Sequence, residues 1–210
     1  MSTIGVEELK EPEFRLLDKL SHQDLMPFVK RAWQIKSLIY YLFNGLCLLC
    51  GICFVALFVL DFIRGELSLS KEFSYFSYGV AASFLLIPFH EYLHVLAYKH
   101  LGAVNTSYDM NLRKFYFMAM ADKFVVNAQE FRIIALTPFV VISALCLLGG
   151  LLAPGLWSWI PLGVFCTHSI FCSGDFALLN YMEHHKSQGI YTYDDKEKGE
   201  SYFFIKRVAE

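Results

Sequence analysis

His90, Glu91 and His94 form the pattern H-E-x-x-H. On a helix, residues four apart share one face, so both imidazoles can reach a single Zn²⁺. Glu91 stands beside them, placed to take a proton from a metal-bound water, which is chemistry that serves hydrolysis. Such a short pattern also arises by chance, and paired helical histidines are often packing residues with hydrogen-bonded partners. The surroundings favour the metal site. Pro88 and Phe89 precede the motif, Val95-Leu96-Ala97 follow it, and the stretch is apolar enough to cross a bilayer. A charged group at mid-bilayer costs roughly 2.5–3.5 kcal/mol or more. A carboxylate between two imidazoles in that setting has little structural use.

A catalytic zinc usually takes three protein ligands and leaves one position for water. Asp175, in Ser173-Gly174-Asp175-Phe176, is the only carboxylate within the other apolar segments, and Gly174 permits close helix approach. The alternative for Asp175 is a polar helix-packing contact. His168 is a rival third ligand. It lies seven residues earlier, about two helical turns and some 10 Å away on nearly the same face. It could donate to a ligand, polarise a substrate carbonyl, or simply be a hydrogen-bonded helix residue. His100, His184 and His185 fall at or beyond segment ends and read as interfacial or tail residues. Cys47-x-x-Cys50, with Cys53, has the spacing of a redox or zinc pair, but within an apolar helix cysteine acts as a small apolar residue.

Four segments have the length and apolarity of spanning helices: Ser37–Leu60, Phe76–Tyr98, Phe131–Ala153 and Trp157–Met182. Of the 210 residues, 56% are hydrophobic and 18% charged, below the ~25% charged of soluble domains. The chain reads as an integral membrane protein. Its net charge of −2 gives no reason to expect a nucleic-acid partner, and no signal peptide is expected at the polar start. Lys and Arg counts along the successive connections run six, two, five, zero and five. That alternation puts both termini and the long second connection in the cytoplasm, and Trp157 and Trp159 at the outer interface. The second and fourth helices then both run inward, which brings His90, His94 and Asp175 to similar depth.

Local signals add detail. The apolar run from Lys114 to Ala121 predicts a membrane-leaning strand or hairpin near Val104–Val126. Asn127, with Glu130 three residues on, predicts a capped helix start. Pro138 predicts a kink in the third helix. Phe14–Leu20 has an amphipathic, helix-like or surface-lying character.

His90-Glu91-x-x-His94, Ala135-Leu136-Thr137-Pro138-Phe139 and Ser173-Gly174-Asp175 together resemble the zincin peptidases of the DUF3267 family, over roughly residues 80–182. In pattern the chain also resembles the site-2-type intramembrane metalloproteases. It departs from these at Phe176, where they carry Gly, and lacks their Asn-Pro-x-x-Gly-type signature. The resemblance implies Zn²⁺ as cofactor, His90, His94 and Asp175 as ligands, and Glu91 as base.

The expectation is an all-α polytopic membrane protein. It has about four transmembrane helices and a small membrane-associated β-hairpin between the second and third. Residues 1–36 form a cytoplasmic segment, 37–182 the membrane zincin domain and 183–210 a cytoplasmic tail. Its expected partners are the bilayer and a membrane-protein or peptide substrate. The competing readings are an inactive membrane adaptor and a di-iron lipid-modifying oxidase. The latter would use His90-x-x-x-His94 and His184-His185, but Tyr181 stands where its histidine box needs His.

Overall fold

A computed structural model describes residues 4–65, 68–111 and 116–207. In chain order its main elements are β1 (Phe14–Ser21), α1 (Leu25–Ala32), α2 (Leu38–Arg64), α3 (Leu69–Leu85), α4 (Ile87–His100), β2 (Thr106–Asn111), β3 (Tyr116–Ala121), β4 (Val126–Asn127), α5 (Ala128–Leu152), α6 (Trp159–Phe171), α7 (Ser173–His184), β5 (Ile190–Asp195) and β6 (Glu200–Lys206). The protein is mostly helical, with two small antiparallel sheets. The chain divides into two compact units. One comprises residues 1–40, 91–137 and 174–210, the other 41–90 and 138–173.

α2 and α5 are long and apolar enough to cross a membrane, and up to four segments qualify if each of the bent pairs α3–α4 and α6–α7 is one span. α2 exposes Leu48, Ile52, Val55 and Phe62, an apolar surface suited to lipid rather than water. The first break has a local cause. α3 ends at Leu85 and α4 begins at Ile87. Pro88 cannot donate a backbone hydrogen bond to Phe84, but in the first turn of a new helix its missing N–H costs little. The start of α5 follows the expected cap. The Asn127 side chain accepts from the amides of Gln129 and Glu130, and Glu130 accepts from the Asn127 amide.

The second unit contains most of α2, all of α3 and α6, and parts of α4 and α5. α3 packs against α6 through glycine. A Cβ at Gly79 would lie 2.2 Å from the Ile160 carbonyl oxygen, and one at Gly163 2.3 Å from that of Phe76. Only glycine permits this backbone approach. Asp61, buried in α2 beyond the sequence-predicted end at Leu60, accepts a 2.8 Å hydrogen bond from the Trp159 indole. All six cysteines are free thiols.

The first unit contains the sheet that hydropathy did not reveal, in the order β1-β6-β5-β4. Phe14–Leu20, expected to be helical or surface-lying, is instead part of strand β1. It pairs antiparallel with β6 from Phe14↔Lys206 to Ser21↔Glu200. β6 alternates as a half-buried strand should, with Ser201, Phe203 and Ile205 turned inward. Phe203 stacks on Phe28 of α1 with ring centroids 5.4 Å apart. Buried Met182 and Ala177 of α7 join that core. Asn180 of α7 donates to the carbonyls of Ala32 and Ile35 at 2.8 and 2.9 Å and accepts from Ser37, which satisfies the end of α1 and ties it to α7. In the short turn after β1, His22 Nε2 lies 3.1 Å from Ser201 Oγ of β6, which donates to Asp194 at 2.6 Å. Burial holds the Asp194 carboxyl above its usual range, opposed by the Ser201 hydroxyl. With the Ser201 proton given to half-buried Asp194, this arrangement reads as sheet structure rather than a nucleophile.

β2 and β3 form the antiparallel hairpin between α4 and α5, in register from Thr106↔Ala121 to Asn111↔Tyr116. Lys114 and Phe115, the start of the apolar run, lie outside the described residues.

Candidate active site

The motif begins in the first turns of α4, after the break that Pro88 imposes. His90, Glu91 and His94 are all buried. The division between the two units falls between His90 and Glu91, within α4. His90 and His94 remain one turn apart on that helix and share its face.

In the first unit three elements converge on the motif. α4 supplies Glu91 and His94, β3 supplies the backbone of Ala119, and the first turn of α7 supplies Asp175. Glu91 Oε2 accepts a 2.7 Å hydrogen bond from the Ala119 amide. That N–H turns to the carboxylate, so the strand aims the Glu91 side chain. Asp175 Oδ1 lies 3.3 Å from His94 Nε2. Its position is favourable for a carboxylate, because the first turn of a helix carries the positive end of the dipole.

The other ring nitrogen of His94, Nδ1, lies 2.9 Å from the carbonyl oxygen of Ile134 in α5. A carbonyl only accepts, so Nδ1 carries the proton and a neutral imidazole keeps its lone pair on Nε2, the nitrogen that faces Asp175. The free acceptor has a local origin. Pro138, inside α5, is four residues after Ile134 and has no N–H to give that carbonyl. The proline expected to kink the helix leaves an acceptor for a site histidine.

The second unit holds His90, His168 and Cys172. His168 Nε2 lies 2.9 Å from His90 Nδ1, and Cys172 Sγ lies 3.7 Å from each ring nitrogen of His168. All three are buried. The expectation that His168 sits two turns from Asp175 along one helix does not hold, because the helix breaks at Cys172. His185 turns its Nδ1 to the Tyr181 carbonyl at 3.0 Å. Among the described residues, neither His184 nor His185 belongs to a set of three side chains able to hold a metal.

An imidazole nitrogen and a carboxylate oxygen brought face to face, with the imidazole oriented by an outer hydrogen bond, suit Zn²⁺. Sequence reasoning named Glu91, His94 and Asp175 but missed the Ala119 amide and the Ile134 carbonyl. Only Pro138 signalled the latter.

No curated protein and no solved structure matches the chain. The family comparison does: residues 83–189, more than half of the chain, match DUF3267, whose description reads "Putative zincin peptidase". That span contains His90, Glu91, His94, Asp175, Ile134 and Pro138, and the chain belongs to the DUF3267 family.

Proposed function

We propose that this protein is a membrane-embedded zinc metallopeptidase that hydrolyses peptide bonds of membrane-associated substrates near the cytoplasmic face. The observation that carries the reading is Glu91, held by the Ala119 amide on the same helix face region as His94, whose Nε2 faces Asp175. His94 and Asp175 would hold the metal, with His90, one turn before His94, as the second imidazole. Zn²⁺ bound there would supply Lewis acidity, acidifying a water and polarising the scissile carbonyl. Glu91 takes the proton of the attacking water and later delivers it to the leaving amine. The Ala119 amide fixes the carboxylate's direction, and the Ile134 carbonyl keeps His94 in the tautomer whose Nε2 can ligate.

Hairpin β2–β3 gives the substrate a place to lie. A transmembrane helix hides its own carbonyls and must unwind before cleavage. An extended segment laid along β3 would pair by strand addition and bring its peptide bond beside Glu91.

Four spans with both termini cytoplasmic fit the alternation of basic residues. Reporter fusions at Lys123 and Lys196 are expected inside and a fusion at Pro154 outside; an inside reading at Pro154 sinks this topology. The function itself is tested on purified protein by metal content and cleavage of membrane-protein substrates. One zinc per chain with cleavage is expected. Two irons would instead support a lipid-modifying oxidase, and no metal with intact folding would support an adaptor.

A further inference from the structure

The contact between His90 and His168 has a direction that the structure leaves to chemistry. A neutral imidazole carries one proton on its two nitrogens. At His94 the partner is a carbonyl, so the proton must be on Nδ1. At His90 the partner is a second imidazole, and two arrangements satisfy the 2.9 Å contact. In one, His90 Nδ1–H donates to His168 Nε2, and His90 Nε2 keeps a lone pair. In the other, His168 donates, and His90 carries its proton on Nε2, where it cannot bind a metal. Both rings are buried, His168 only 2% exposed and His90 8%, so which of them donates matters to the energy of each.

We infer that His168 is a positioning residue for His90. It accepts the Nδ1–H of His90 and so holds Nε2 ready for the metal, as the Ile134 carbonyl does for His94. This rests on the zinc reading given above. Cys172 sits 3.7 Å from both nitrogens of His168, one turn along the chain, and its thiol can engage the nitrogen that His90 leaves. The same three residues could instead be read as a second metal site. The closeness of the two imidazole nitrogens argues against it. At 2.9 Å they are at hydrogen-bond distance, whereas two nitrogens bound at ~2.0–2.1 Å to one tetrahedral zinc stand about 3.3 Å apart.

The role predicts a difference between isosteres. Gln at 168 offers a carbonyl oxygen that can accept from His90 Nδ1, whereas Ala and Leu offer nothing. Zinc affinity is measured by chelator competition on purified full-length protein, with the visible spectrum of the Co²⁺-substituted form and thermal unfolding alongside. His168→Ala and His168→Leu should bind zinc ~10–100-fold more weakly, the usual effect of losing an outer partner of a ligating histidine. Their Co²⁺ bands should shift, and His168→Gln should restore both readouts toward wild type. Wild-type affinity in His168→Ala, or a Gln variant as weak as the Ala variant, overturns the positioning role alone. Complete loss of zinc in His168→Ala makes His168 a ligand, and two zincs in the wild type make the trio a metal site; either overturns it as well. A wild type that binds no zinc overturns the metallopeptidase reading and takes this role with it. If the Ala and Leu variants do not fold, nitrogen-15 NMR of histidine-labelled, zinc-loaded wild type decides the matter. His90 should be protonated on Nδ1 and His168 unprotonated on Nε2, and the reverse overturns the assignment.

Discussion

Glu91→Gln is expected to fold, to bind zinc as the wild type does and to lose peptide hydrolysis by ~10²–10⁴-fold, the range typical of a missing general base. The substitution isolates proton transfer because the amide keeps the shape of the carboxylate. Its carbonyl oxygen can still accept from the Ala119 amide that holds Glu91 at 2.7 Å, so helix and strand keep their contact. Replacing a buried charge with a neutral group removes a desolvation cost rather than adding one. Glu91→Ala is a poorer probe, since it leaves the Ala119 amide without its buried acceptor, at a cost of ~1–3 kcal/mol. A Gln variant that binds substrate but does not cleave it should also trap uncut membrane proteins, which makes it the reagent for identifying them. Cleavage at the wild-type rate by Glu91→Gln would remove the zincin mechanism.

Asp175→Ala is expected to weaken zinc binding by more than the ~10–100-fold assigned to the loss of an outer partner, because in the proposed metal site it deletes a ligand oxygen. The measurement is the same chelator competition, with His168→Ala as the internal comparison. The two variants should rank clearly, with Asp175→Ala the weaker binder. Folding should survive. The carboxylate lies in the first turn of α7, where it contributes ~0.3–1 kcal/mol through the helix dipole. α7 remains tied down by Asn180 and by Ala177 and Met182 in the core. Full zinc retention in Asp175→Ala would move the third ligand elsewhere and make His168 the next candidate.

Features carried by neighbouring residues were legible from the sequence. Asn127 and Glu130 cap α5 as their spacing requires, since each reaches the other's backbone within one turn. The hairpin after the motif lies within its expected limits, at β2 and β3. The apolar segments correspond to α2, to α5 and to the two bent helix pairs. The bend before the motif was signalled by Pro88 but masked by hydropathy, which stays high through a break in backbone hydrogen bonding. β1 was hidden for a different reason. Its register shifts between Leu16 and Asp18, and the irregularity spoils the alternation that identifies a strand. Its partner β6 lies nearly the whole chain away, so no local pattern could show the pairing.

The sequence by itself determined the chemistry available: two imidazoles and a carboxylate one turn apart, and a further carboxylate and histidine in later apolar segments. Residue type and helical period suffice for that. Tertiary structure alone decided which partners those groups meet. The Ala119 amide aims Glu91, the Ile134 carbonyl orients His94, and His168 lies against His90. Two of those partners are backbone groups. Every residue but proline has the same backbone amide and carbonyl, so their roles cannot be written in side-chain type. They arise only when packing brings a strand edge or a proline-freed carbonyl to the histidine helix.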